Sequence, residues 1–239
     1  MNCWDTSGVT DMSYLFSSDT FGKKDYHINE PIDCWDVSKV TDMKAMFAGA
    51  LMFNQYLNSW DVSSVTDMSF MFESAKSFNQ PLNDWITSKV ISMGAMFQDA
   101  ESFNQPIETW DVGRVKDISY MFYGALSFNQ PLESWNVSSV TGMGAVFKDA
   151  TIFNQPLSSW NVSRVNDMYS MFHGASSFSQ NLCKWYEWPY KKLPIALFML
   201  SKSNCSDSSD PNFVTMASFC SVCNDSKVSN VPFPSMISV

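Results

Sequence analysis

The chain has 239 residues, a formal charge of −9 from 15 Lys+Arg against 24 Asp+Glu, 45% hydrophobic residues and only 16% charged ones. That apolar share excludes wholesale disorder. The acidic balance argues against a nucleic-acid partner, which would need clustered Lys and Arg, and no apolar run approaches the ~20 residues of a membrane-spanning helix. With two His, there is little material for a histidine-based metal or catalytic site. The surplus lies elsewhere, in 16 Met, 9 Trp and 19 Phe.

Trp occurs at 4, 35, 60, 85, 110, 135, 160 and 185, and after Trp35 every step is 25 residues. The first step is 31, so six extra residues fall in the first interval, placed near 20–27. One unit reads W-D-V-S-S-V-T-D-M-S-F-M-F-E-S-A-K-S-F-N-Q-P-L-N-D from Trp60 to Asp84, and 11 of the 16 Met occupy two fixed positions in it. A period of this length marks a repeat array, in which each unit is too small to bury its own apolar face and must stack on its neighbours. Leu57, Trp60 and Val62 have the L-x-x-L-x-L spacing of a strand, with Trp60 and Val62 inward and Ser59 and Asp61 outward. Val65, Met68, Met71, Phe72 and Ala75 recur at steps of three and four, the spacing of a short helix or 3₁₀ turn. Thr66 or Asp67 is its candidate N-cap. Phe78 to Leu82, with Pro81, brings the chain back. The Asn row at 54, 79, 104, 129 and 154 is expected to form an inward ladder that satisfies backbone at this corner. The Trp, Val, Met and Phe rows are read as core; Met fills irregular space and contacts aromatic rings well.

The unit W-D-V-S-x-V-T-D-M-x-x-M-F-x-x-A-x-x-F-N-Q-P-L resembles the BspA-type leucine-rich-repeat surface proteins, and more closely the repeat of mycoplasma surface proteins known as a domain of unknown function. The resemblance spans about residues 1–188, in seven full coils and part of an eighth. It implies an α/β repeat fold: a right-handed, leucine-rich-repeat-like solenoid of 25-residue coils, each with a short strand and a short helix or 3₁₀ turn. It also implies a place at the cell surface or outside the cell, and binding or adhesion more than chemistry.

From Cys183 the repeat decays, although Leu193, Ala196, Phe198 and Met199 look like a worn copy of the M-x-x-M-F face. Residues 189–223 are expected to be a cysteine-bearing cap over the last coil, since an open array otherwise offers an unpaired edge. This segment is similar to the cysteine-containing tail of some microalgal family members. Residues 224–239, rich in Ser, Val and Pro, are expected to be a disordered tail. Met1 stands three residues before a consensus Trp with no basic-plus-apolar leader. The expectation is therefore that upstream repeats and a signal peptide precede this sequence, and that the first coil seen here is open to self-association.

Cys3 and Cys34 share a register just before Trp in adjacent coils. Coils stacked roughly 4.8 Å apart bring them within the Cα separations of about 4.4–6.8 Å that a disulfide accepts. Cys183, Cys205, Cys220 and Cys223 would then pair within the cap, in any of three connectivities; the rival reading is a zinc site built on C-x-x-C. Asn136, Asn161, Asn204 and Asn224 head N-x-S sequons, which are glycosylation acceptors in a eukaryotic secretory pathway.

For function, residues repeated in every coil serve stacking, so specificity is sought where coils differ. Asp follows Trp at 36, 61 and 111, and two residues after the Val of W-D-V come Lys39, Lys89, Arg114 and Arg164. This mixed strip is the candidate interaction surface for a protein or glycan ligand, against the plainer reading of charge balance on a solvated face. The Asp rows, including 11, 42, 67, 117 and 167, are read as local turn caps. The rival is a calcium-dependent adhesin, since hard cations want several carboxylate oxygens. A structural wall or matrix component is the other alternative. No nucleophile elbow, phosphate loop, zinc-protease or dinucleotide motif is present, and neither His27 nor His173 has an evident catalytic partner. The reading is therefore non-enzymatic, with no cofactor.

Overall fold

A computed structural model describes residues 3–18, 28–187, 194–206, 208–211 and 220. Parallel bridges run Asp11–Asp42–Asp67–Ser92–Asp117–Gly142–Asp167–Ile195, one residue per coil. Eight coils therefore stack in register at the T-D-M segment, because the sequence unit returns to the same place 25 residues on between Asp42 and Asp167, and after 31 and 28 residues at the first and last steps. The last rung, at Ile195, lies beyond residue 188. The segment read as a cap thus begins with one more coil rung, and the worn M-x-x-M-F copy is what builds it. The six-residue insertion near 20–27, Cys223 and the tail at 224–239 lie outside the described residues.

The local elements differ from those the spacing suggested. The only named regular element among the described residues is the 3₁₀ helix Cys183–Glu187. The L-x-x-W-x-V segment is not a strand but two tight turns: Trp60 N–H donates to Leu57 C=O at 3.0 Å, and Val65 N–H to Val62 C=O at 2.9 Å. A three-residue apolar step closes a β-turn as readily as it marks a strand edge, and the polar pairs between, Asn58-Ser59 and Ser63-Ser64, suit turn tips. The expected burial still appears: Trp60 and Val62 are buried, Ser59 and Asp61 exposed.

The segment from Val65 to Ala75 is likewise not a helix. Phe70 and Ser74 have φ of 60° and 55°, and the same two positions repeat in the left-handed region in other coils, as at Ala95 and Asp99 or Ala145 and Asp149. A left-handed residue every fourth position stops an α-helix from propagating. The backbone groups divide between two partners instead. Met68, Phe70, Phe72 and Ser74 N–H donate to Ser92, Gly94, Met96 and Gln98 C=O of the next coil, at 2.7–3.1 Å. Met71, Glu73 and Ala75 N–H close turns onto residues three earlier. An α-helix would consume all of these bonds within the coil and leave none to hold the stack. The apolar spacing of three and four survives, because Val65, Met68, Met71, Phe72 and Ala75 are all fully buried.

The core consists of rows running along the stack. Phe47, Phe72, Phe97, Phe122, Phe147 and Phe172 stack face to face at 5.5–5.8 Å between ring centroids. A second row, Phe53 through Phe178, runs beside it at 5.9–6.1 Å. The two rows touch within each coil, as for Phe72 and Phe78 at 4.1 Å. Each such pair is worth about 0.5–1.5 kcal/mol beyond its burial, and those along the rows exist only because another coil supplies the partner. Trp brings a polar N–H into this core, and every copy from Trp60 to Trp185 gives it to a carbonyl 28 residues back, such as Trp85 Nε1 to Leu57 C=O at 2.9 Å.

The corner is closed by amides. Asn104 Oδ1 accepts from Asn129 N–H at 3.0 Å, and Gln130 Nε2 donates to both Asn104 Oδ1 and Asn104 C=O at 3.0 Å. The same pattern links Asn54, Asn79, Asn129 and Asn154 to the coil above. The Asn row is half-buried rather than fully inward, and the Gln beside it is a working member of the ladder. Among the described residues no helix is long and apolar enough to cross a membrane.

Candidate interaction surface

Each W-D-V-S-x-V segment presents one turn to solvent. In the coil of Trp35, Asp36 Oδ1 accepts from Ser38 N–H at 3.0 Å and from Ser38 Oγ at 2.6 Å. Asp61 does the same with Ser63 N–H at 3.0 Å, and Asp111 with Gly113 N–H at 2.9 Å. The Ser38 hydroxyl, then its backbone N–H, holds the Asp36 carboxyl below the ordinary carboxylate range. Ser63 acts in the same way on Asp61. Asn136 and Asn161 keep the motif where Asp is replaced, accepting from Ser138 and Ser163 N–H at 3.2 and 3.1 Å. These side chains are thus turn caps first, because a short carboxylate or amide reaches the N–H two residues on without strain.

Lys39, Lys89, Arg114 and Arg164 occupy the exposed tips of these turns. The structure brings the two rows together along one edge of the stack: Lys39 acts electrostatically on Asp5 and Asp36, and Lys89 on Asp61 of the coil before it. The strip is one of interleaved signs, not a uniformly basic one. In the coil of Trp85, Ile86 stands exposed where the other coils from Trp4 to Trp160 carry Asp or Asn.

The second Asp row lies on the bridge itself. Asp11, Asp42, Asp67, Asp117 and Asp167 each accept at Oδ1 from the N–H two residues on, at 2.8 Å. Among the described residues, no group of three or more His, Cys, Asp or Glu converges as metal ligands would. His173 lies on the bridge-side turns with Nδ1 buried and unpartnered, and His27 lies outside the described residues.

Cys3 and Cys34 are joined, with Cα atoms 6.1 Å apart, and Cys205 is joined to Cys220 at 4.6 Å. Cys183 is disulfide-bonded as well, and no described cysteine is free. Sulfur held in a disulfide is not a thiolate ligand, so the zinc reading of the cap loses three of its four cysteines. Of the sequons, Asn136 and Asn204 are exposed and Asn161 is partly so; Asn224 lies outside the described residues.

Two features escaped the sequence reading. One is a small-residue column in which Gly124 and Gly174, with φ of 65° and 74°, lie against the Asp99 and Asp149 carboxylates of the preceding coil. The other is an alternation of large and small residues at the first left-handed position from Tyr14 to Ala145. Both have a period of about two coils, which a comparison at 25 residues averages away.

Compared with curated proteins and with solved structures, the chain has no match. Its repeat does have a family: with a model that matches residues 1–108 and again 103–204, the chain belongs to the family described as Mycoplasma protein of unknown function, DUF285.

Proposed function

We propose that the chain is a non-enzymatic recognition module at the cell surface or outside the cell, built as a right-handed, leucine-rich-repeat-like solenoid that binds a protein or glycan through its W-D-V-S turns. The observation that carries this reading is the contrast within each coil. Nearly every repeated side chain is engaged in stacking, in the amide ladder or in capping a turn. Lys39, Lys89, Arg114 and Arg164 instead stand exposed at the tips and alternate with Ser64 and Ser139 in other coils. Charges that differ from coil to coil on a fixed scaffold are what discrimination between partners uses. Membership of the family supports a surface role. The Cys3–Cys34 and Cys205–Cys220 disulfides fit an oxidising compartment. The lack of a recognisable catalytic motif in the sequence supports the non-enzymatic part.

The test is binding of the fluorescently labelled chain to intact cells of the source culture, with the variant Lys39→Glu/Lys89→Glu/Arg114→Glu/Arg164→Glu beside it. A loss of tenfold or more in affinity, with unchanged thermal unfolding, is the expected result. Equal binding by both forms removes the strip as the interaction surface.

A further inference from the structure

Phe70 and Tyr120 are 37% and 46% exposed, with φ of 60° and 61°. A bulky side chain at positive φ is strained, and Ala45, Ala95 and Ala145 take the same turn position without a ring. Strain kept at an exposed position points to a role outside folding. The two rings flank the coil of Trp85, Phe70 from the coil before it and Tyr120 from the coil after. The two coil steps are 5.6 and 5.8 Å, measured on the core row Phe72, Phe97 and Phe122. Between the rings the floor is Ser92, Gly94 and Ala95, the last two buried. This makes a slot one coil wide, with Asp67 and Asp117 on the same two walls, bridged to Ser92 from either side.

The chain holds a second copy of this slot, and that copy is filled. In the coil of Trp35 the walls are Tyr14 with Asp11 and Phe70 with Asp67, and the floor is Asp42, Lys44 and Ala45. The floor backbone is held alike in both: Ala45 N–H donates to Ser69 C=O and Ala95 N–H to Ser119 C=O, each at 2.8 Å. Lys44 stands where the other slot has Gly94, and its Nζ lies 6.0 Å from the Phe70 ring centre, at the reach of a cation–π contact. Tyr120 is the ring in the corresponding place above Gly94, and among the described residues no cation lies over it. A Cβ on Gly94 would lie 3.4 Å from Asp117 Oδ2 and 3.6 Å from Ser119 C=O, in ordinary contact. The slot therefore accepts a side chain that its own coil does not supply.

The charge of the face selects the sign of the occupant. Five Asp lie along the bridge row, and the turns beyond it add Glu73, Asp99 and Asp149; against them stand Lys44, Lys116 and Lys148. Lys148 is itself drawn onto a ring, with Nζ 5.1 Å from the centre of Tyr123. Asp117 Oδ1 caps its own turn at 2.8 Å, and Oδ2 is the oxygen beside Gly94. An acidic face with exposed rings complements a cation.

We infer that the slot between Phe70 and Tyr120 receives a lysine side chain from a partner polypeptide. Its aliphatic stem lies between the two rings over the Gly94–Ala95 floor, and its ammonium meets the Tyr120 ring and Asp117 Oδ2. The floor over Gly144 has Asp167 beside it but Ser170 where a ring would stand, so the Gly94 slot is the site. It uses a different turn of the coil from the Lys/Arg strip, and the inference stands apart from the function proposed above.

The experiment titrates the intact chain into a labelled hexalysine peptide, read by fluorescence anisotropy, with the Nζ-acetylated peptide and chitosan oligomers as comparison probes. Saturable binding of the lysine peptide and not of the acetylated one is expected. Gly94→Lys fills the slot as Lys44 fills its own, and affinity should fall tenfold or more with unchanged thermal unfolding. Ser139→Lys adds the same charge at a turn tip and should leave affinity within about twofold. Tyr120→Ala, which should fold because Ala45, Ala95 and Ala145 already occupy this position, weakens binding, and Tyr120→Phe retains it. Absence of binding, or an equal effect of Gly94→Lys and Ser139→Lys, overturns the inference. Tighter binding of chitosan oligomers than of the peptide also overturns it, by assigning the slot to an amino-sugar polymer.

Discussion

Gly124→Ala tests the small-residue column with a sign and a size. Two costs are separable. A Cβ at φ 65° carries the left-handed penalty, about 1–2 kcal/mol for an ordinary residue. The same Cβ would also run into Asp99 Oδ1 of the preceding coil, and overpacking of this kind costs about 1–3 kcal/mol. The stack restrains how far Asp99 can retreat, since Asp99 N–H is itself bonded to Tyr123 C=O at 2.7 Å. Gly124→Ala is therefore expected to destabilise by about 2–5 kcal/mol in urea unfolding. In an Asp99→Ala background the collision is gone and only the conformational part, about 1–2 kcal/mol, remains. The interaction in the double-mutant cycle is then the collision itself, about 1–3 kcal/mol in favour of the pair. Gly174 and Asp149 repeat the geometry two coils on, so Gly174→Ala and Asp149→Ala should give the same cycle. An identical loss from Gly124→Ala in both backgrounds would refute the steric account.

Asn104→Ala removes the acceptor of Asn129 N–H, while Gln130 keeps the Asn104 carbonyl. For a half-buried N–H left without its partner, a loss of about 1–2 kcal/mol is expected, read by urea unfolding; a change within ±0.3 kcal/mol, on the order of an ordinary surface substitution, would show the ladder to be incidental. Burial, first among its causes, holds the Asp99 carboxyl above the ordinary carboxylate value of 3.8. The folded state then binds the proton more tightly than the unfolded one. Its stabilising contribution is complete below about pH 3.8, the unfolded value, and is lost as pH rises through the raised folded value. Asp99→Asn should accordingly stabilise the chain at pH 7 relative to the parent and lose that advantage at pH 3. A constant difference across this range would contradict the assignment.

Much of the candidate surface was legible from single positions. Asp36, Asp61 and Asp111 were readable as turn caps because an Asx side chain acts within two residues, a range that sequence encodes directly. Their proximity to Lys39 and Lys89 depends on coil stacking, yet the 25-residue period already implied it. The aromatic row was harder to see. Tyr14, Phe70 and Tyr120 look like members of an apolar pattern until burial separates them from Met71 and Phe72. The zinc reading of C-x-x-C failed for a related reason, since pairing is a matter of which sulfurs meet in space.

By itself, the sequence determined the period, the family, the rows that form the core and the register that places Cys3 against Cys34, because each follows from a side chain meeting its own copy one coil later. Only the tertiary structure decided what each coil is made of. Val65 to Ala75 carries helical spacing and becomes a run of turns. The deciding factor is that Met68, Phe70, Phe72 and Ser74 N–H find acceptors in the next coil. Side-chain periodicity records which faces are buried; it does not record to which chain segment the backbone gives its hydrogen bonds.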